Sequence, residues 1–218
     1  MTSGRWRRPL LVVGAGGMAR EALEAVAAAG CWRVLGVLDD DPARHGARVG
    51  GAPVLGPVAA AHDHPEAAVV VCTGRPDDYG SRARIVARLG LPPDRWATVV
   101  HPAAALAGSC RLGPGSVVLA GVVATADVTV GRHVVVMPHV TLTHDDVVED
   151  FATLAAGVRL AGGVRVGAGA YLGAGALVRE GRQIGPGALV GMGAVVVHDV
   201  PAGEVWAGVP ARRLRPVG

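Results

Sequence analysis

The chain has 218 residues, half of them hydrophobic, 18% charged and only 3% aromatic. That apolar content excludes a disordered chain, and no apolar run approaches the ~20 residues that a bilayer-crossing helix needs. The net charge of +3 hides an asymmetry: Arg5, Arg7, Arg8 and Arg212, Arg213, Arg215 crowd the two ends, and setting these six aside leaves 15 bases against 18 acids. A mildly acidic body without aromatic residues interleaved among its bases argues against a nucleic-acid interface.

The opening RWRRPLLVVGAGG has the basic start of a secretory leader, but its apolar run breaks into glycines after four residues, so no signal peptide is expected. Leu10–Val13 is a short all-apolar run, as expected of a strand buried on both faces. The glycine turn Gly14-Ala15-Gly16-Gly17-Met18-Ala19 follows, then an Ala-rich helical stretch from Arg20 to Ala29 closed by Gly30. A second strand, Val34–Leu38, ends at Asp39-Asp40-Asp41-Pro42. A third apolar run, Ala67–Cys72, ends at Thr73-Gly74, and Ser81–Leu89 reads as helix. Strand, glycine turn, helix and a strand with a terminal acid form the grammar of a small Rossmann-like α/β unit, in which glycines let backbone approach a phosphate at a helix N-terminus. About 90 residues suit a mononucleotide-sized ligand better than a dinucleotide. Three scattered cysteines, Cys31, Cys72 and Cys110, have no metal-ligand spacing and read as reduced thiols of a cytoplasmic protein.

From Leu106 to Val196 every sixth residue is Leu, Ile or Val, Ala124 excepted, and the register never breaks. Four residues after each comes a second series that is small or β-branched except at Asp146 and Arg182. A period of six fits neither a helix nor a simple strand alternation. It fits a flat face plus a corner, three times per coil of 18 residues, with the aliphatic side chain inside. About five such coils, spaced roughly 4.8 Å apart, make a prism about 25 Å long. Domains are therefore expected at 1–98 and 99–218. His144, the third residue of its hexad, falls at a corner facing outward, stacked between the small residues Ala126 and Gly162. Asp145 adjoins it and can orient the imidazole. Asp146 tends inward, where an unpaired carboxylate is costly, so it is expected to be paired, linked to solvent or part of a pocket.

The hexapeptide pattern resembles that of the left-handed parallel β-helix acyltransferases. With the nucleotide-fold half in front, His144-Asp145, Glu149-Asp150-Phe151, Ala155-Ala156-Gly157 and the closing Ala207-Gly208-Val209-Pro210-Ala211, the chain resembles one sugar acyltransferase family from about Pro9 to Pro216. That family includes the sialic acid O-acetyltransferases and the N-acetyltransferases of nucleotide-linked 4-amino sugars. The resemblance implies acetyl-coenzyme A as acyl donor, no metal, a nucleotide sugar as acceptor and a homotrimer whose neighbouring chains enclose the coenzyme along a prism edge. It makes His144 the general base and Asp145 its partner. It puts Thr153, Gly162, Ala174 and Met192 against the coenzyme, Thr153 standing where amino-sugar acetylating relatives carry histidine. It puts the nucleotide sugar against Gly14, Gly16, Gly17, Met18, Asp39, Asp40 and Gly74, with Met18 and Arg75 departing from the family pattern. Arg212, Arg213 and Arg215 fall either against the coenzyme's phosphates or in a solvated tail.

Rival readings are weaker. O-acetylation, or a non-nucleotide acceptor, uses the same machinery. A carbonic-anhydrase-like zinc site would need His133, His139 and a third histidine to converge, but His133 and His139 occupy equivalent positions on adjacent faces. A scaffold that has lost catalysis is disfavoured by the intact His144-Asp145 pair, and a dehydrogenase by the absence of a second catalytic domain.

Overall fold

The computed structural model describes residues 7–218; Arg5 of the N-terminal basic cluster lies outside the described residues. The first unit begins with β1 (Arg8–Val13), α1 (Gly17–Ala29) and β2 (Trp32–Leu38). It continues with β3 (Arg48–Val49), β4 (Ala52–Gly56), β5 (Ala68–Val71) and α2 (Ser81–Leu89). The sheet runs β3-β4-β2-β1-β5 and is parallel except for the β3–β4 hairpin. Leu10 to Val13 have no exposed surface, which is why this strand carries no polar alternation. The hairpin turns through Gly50-Gly51, both with positive φ, and its two-residue first strand is too short to show an alternation in the sequence.

Seventeen two-residue strands follow, from β6 (Val99–Val100) to β22 (Val195–Val196), and residues 18 apart pair in parallel register. In each strand the second residue points into a core of stacked Leu, Val, Ile and Ala, and the first points out. Three faces result. Face I presents Val99, Val117, Val135, Thr153, Tyr171 and Leu189; face II Ala105, Val123, Thr141, Arg159, Leu177 and Val195; face III Arg111, Thr129, Val147, Arg165 and Gln183. The C-terminal arginines are exposed to solvent but lie in a strand rather than a loose tail: β23 (Glu204–Ala207) and β24 (Arg212–Pro216) make an antiparallel hairpin that extends face I.

Every sixth residue from Gly115 to Gly193 turns the chain through a positive φ. Most of these are glycine, but Asp127, His133, His139, Asp145 and Phe151 form an unbroken run of non-glycine corners. An L-residue there costs on the order of 1 kcal/mol, so strain is concentrated in the coils that carry the candidate dyad and the domain junction.

That junction is held by Arg82, which has no exposed surface. Its Nε donates to the His133 carbonyl (2.6 Å), Nη1 to the Thr73 carbonyl (2.6 Å), and Nη2 to the Phe151 carbonyl (2.7 Å), the Ala152 carbonyl (3.1 Å) and Thr153 Oγ1 (2.8 Å). Among the described residues no carboxylate bonds to it, and burial lowers the Arg82 pKa to about 10. One guanidinium on α2 thus satisfies the carbonyls of two successive corners on the edge between faces III and I. Beside it, the His133 ring stacks on Phe151 (5.1 Å, 4°) and meets Trp96 edge-on (4.7 Å). Tyr79 extends the contact by donating its hydroxyl to the Gly187 carbonyl (2.8 Å).

His133 is 3% exposed, and its Nδ1 finds no partner. Burial, with Arg82 and Arg132 nearby, lowers its pKa from 6.5 to about 4. A histidine whose folded pKa is depressed contributes stability above its unfolded pKa and loses it as pH falls through the folded value. We expect this term, about 3 kcal/mol at full extent, to vanish between pH 6.5 and 4. His133→Asn, which tolerates the same backbone conformation, should flatten that limb when denaturant midpoints of the two proteins are compared across pH.

Candidate active site

The edge between faces II and III carries His144, Asp145, Gly162 and Gly163 in successive coils. The corner is pinned from both sides: Asp145 N–H donates to the Ala126 carbonyl (3.0 Å) and Gly163 N–H to the His144 carbonyl (2.9 Å). His144 Nδ1 lies 2.8 Å from Asp145 Oδ2, with both side chains exposed. A carboxylate only accepts, so Nδ1 is the donor of this bond, and in the neutral ring Nε2 is the nitrogen that keeps a lone pair. The imidazole lies over the next coil, where a Cβ on Gly162 would stand 2.3 Å from Nε2. Gly162 therefore has no side chain because the histidine occupies that space.

Among the described residues, the N–H groups of Gly162, Ala174 and Met192 donate to no protein acceptor. Pro114, Pro138 and Pro186 occupy the equivalent turn position, which needs no donor. These are open amides at the surface of the prism, suited to a carbonyl or amide oxygen. Ala174 and Met192 stack on the edge between faces I and II, one edge away from His144 and Gly162, and Met192 is 78% exposed. Thr153 differs from its expected role. It lies on face I, 2% exposed, and its hydroxyl is committed to Arg82.

In the N-terminal unit a cleft of about 450 Å³ opens over the glycine turn, lined by Gly14, Gly16, Gly17, Met18, Asp39, Gly74 and Arg75 and also by Asp41, Arg44 and Ser81. Gly14 has a structural reason to be glycine: φ is +98°, and a Cβ would strike Thr73 Cγ2 and the Cys72 carbonyl. Gly16 has none, since nothing lies within 4 Å of its missing Cβ, so the turn leaves room for a ligand rather than for its own chain. No acidic residue occupies the first turn of α1, which leaves its positive end to that space. Asp39 holds the turn by accepting from Ala15 N–H (2.7 Å) and Asp41 N–H (2.9 Å). Arg44, which sequence reading missed, donates from Nη1 to the Ala15 carbonyl (2.7 Å) and pairs with Asp41. Asp40, expected here, faces the other way and accepts from Val58 N–H (3.0 Å) and Arg88. Although partial burial pushes its pKa upward, those two donors bring it below the usual carboxylate range. The alternation of a strand end explains the split: of two adjacent aspartates only one can face the cleft.

No group of three or more His, Cys, Asp or Glu side chains is arranged to hold a metal among the described residues. His133 and His139 lie on different prism edges, and His133 is enclosed by Trp96 and Phe151.

Residues 9–89 match the PglD N-terminal domain. Over the whole chain, the structure is similar to perosamine N-acetyltransferase from Caulobacter crescentus, solved with CoA and GDP-perosamine, at 31% identity and a TM-score of 0.85, covering 94% of this chain and 96% of that one. It is equally similar to the acetyltransferase domain of PglB from Neisseria gonorrhoeae, solved with acetyl coenzyme A, at 31% identity and a TM-score of 0.85, covering 95% and 100%. WeeI from Acinetobacter baumannii matches at 25% identity and a TM-score of 0.79, covering 94% and 99%. A comparison with curated protein sequences gives no match. The expected resemblance holds at full length, down to the left-handed coil: this chain belongs to the hexapeptide-repeat, β-helix family of sugar acetyltransferases and is an acyltransferase.

Proposed function

We propose that the chain is an acetyl-coenzyme A-dependent N-acetyltransferase that acylates the amino group of a nucleotide-activated sugar, with His144 as general base. The observation that carries this reading is the His144–Asp145 pair, with the imidazole packed where a side chain on Gly162 would otherwise stand. The solved relative with bound CoA and GDP-perosamine, similar over 94% of this chain, supports the substrate class.

When bound, acetyl-coenzyme A supplies an acetyl carbonyl activated as a thioester. Nε2 of His144 takes the proton as the amine attacks, and Asp145 stabilises the resulting imidazolium through Nδ1–H. The Gly162 N–H meets the negative charge that develops on the carbonyl oxygen. Nε2 then hands its proton to the departing sulfur. Ala174 and Met192 line the coenzyme's path, whereas Thr153 supports the junction with Arg82. The cleft over Gly16 and Gly17 takes the nucleotide, Met18 and Arg75 shaping its selectivity, and Asp40 lies behind it.

The assembly we propose is a homotrimer. The N-terminal unit covers face I, so its cleft lies across the prism from the edge that carries His144, and a sugar held in it reaches the His144 of a neighbouring chain. Face II exposes Val123 and Leu177 with one arginine, Arg159, whereas face III presents Arg111, Arg165 and Gln183, so face II is the more apolar contact. Free cysteines and the lack of any described helix long and apolar enough to cross a membrane suit a reducing cytoplasm.

The direct test is release of coenzyme A thiol from acetyl-coenzyme A against UDP-, GDP-, dTDP- and CMP-linked sugars with and without a 4-amino group. Turnover restricted to one amino sugar is expected; turnover only on sugars lacking the amine would replace this reading by O-acetylation. His144→Ala should lower kcat by roughly 10²–10⁴ with trimer and melting temperature unchanged. Gly162→Ala is backbone-compatible but drives a methyl into Nε2, so we expect a kcat loss of about 10² without a change in melting temperature.

A further inference from the structure

From Ala107 to Gly191, the N–H that follows each inward aliphatic residue donates to the carbonyl directly above it in the next coil. Thr125 bonds to Leu142, Met137 to Leu154, Glu149 to Val166 and Ala161 to Val178. Among the described residues Thr143 alone breaks this series. Its N–H turns to Asp146 Oδ2 (2.8 Å), and its hydroxyl takes over the Leu160 carbonyl (3.1 Å). The other carboxylate oxygen, Oδ1, accepts from Val164 N–H (2.8 Å). At Ala170, Ala176, Ala188 and Ala194 the equivalent N–H turns back to the carbonyl three residues earlier.

Asp146 therefore closes a four-residue loop, Thr143 to Asp146, whose two middle residues are His144 and Asp145. It also ties that loop to the coil bearing Gly162. Asp146 itself has no exposed surface. Its column neighbours Val128 and Val164 are apolar, and the charged groups acting on it are His144 and Asp145. Burial raises its pKa to about 6, against the pull of the two N–H donors and His144. A carboxyl raised in this way stabilises the fold only at low pH, and that contribution is lost as pH rises through the folded value. At neutral pH the ionised group is less favourable to the fold than its protonated form. A valine, as in the coils below and above, would let Thr143 and Val164 return to the regular pattern.

We propose that Asp146, acting with Thr143, is a positioning residue that re-spaces this one corner so that the His144–Asp145 pair sits in reactive register with the Gly162 amide. The proposal rests on the reading of His144 as general base. Asp146 reaches neither substrate; it acts only through the backbone on either side of the pair.

Four variants test it: Asp146→Val, Asp146→Asn, Thr143→Val and Thr143→Ser. Asp146→Val and Thr143→Val should lower kcat by about 10–100-fold, with the KM for acetyl-coenzyme A nearly unchanged and the trimer intact. Asp146→Val should melt no lower than wild type, and Thr143→Ser, which keeps the hydroxyl, should restore turnover lost in Thr143→Val. Asp146→Asn, which removes a carboxyl that titrates at about 6, should make the acid limb of kcat/KM shallower by one proton than in wild type. An Asp146→Val enzyme with wild-type kcat and acid limb overturns the proposal. So does a loss of activity that tracks a lower melting temperature. If His144→Ala retains full turnover, the base assignment fails by itself. The His144 imidazole ¹⁵N resonance, compared without substrate in wild type and Asp146→Val, then decides: a shift sustains the positioning role, and an unmoved resonance overturns it.

Discussion

Each coil of the prism turns three times, and from Gly115 to Gly193 each turn passes through one residue with positive φ. This single steric demand organises the rest of the molecule. It spaces the inward aliphatic residues six apart, stacks residues 18 apart into columns, and makes glycine the cheapest corner. Where glycine gives way to Asp127, His133, His139, Asp145 and Phe151, the chain accepts backbone strain in exchange for side chains at corners. Two of those corners, His133 and Phe151, receive the N-terminal unit, and Asp145 holds the imidazole of His144.

The two halves communicate through Arg82. Its guanidinium docks α2 on the edge of the prism by satisfying backbone carbonyls rather than a carboxylate, which gives direction without an opposing charge. Gly74, at the cleft, sits against the same side chain, since a Cβ there would stand 2.8 Å from Arg82 Nη1. The floor of the cleft and the prism edge are thereby one rigid construction. Because the unit docks on face I, the cleft and the corner that carries His144 belong to different sides of the prism.

Beyond Arg82 and Thr153, three buried polar residues, each with a different balance, interrupt the apolar packing among the described residues. Ser116 is satisfied, donating to the Gly131 carbonyl (2.9 Å) and accepting from Val134 N–H (3.0 Å). His133 is kept neutral beneath Arg82 with Nδ1 unpaired. Asp146 is paired but disfavoured as an anion. Such departures from apolar packing cluster in the coils that hold the junction and the candidate dyad, where local stability is traded for placement.

The sequence by itself determined what is local or periodic: the hexad register, the inward series, the glycine turn after a buried strand, and the corner position of His144-Asp145. These follow from sterics that repeat every few residues, so a one-dimensional pattern suffices to read them. Only the tertiary structure decided which of Asp39 and Asp40 faces the cleft, that Thr153 is buried under Arg82, that Arg44 joins the glycine turn, and that Arg212 to Arg215 form a strand. It also decided that Arg82, one of three arginines on a short helix, is the buried one, and that Asp146 takes its donors from Thr143 and Val164. Each of these depends on which surfaces meet across long sequence separations, and the energy of such a contact is set by burial, which no local spacing records.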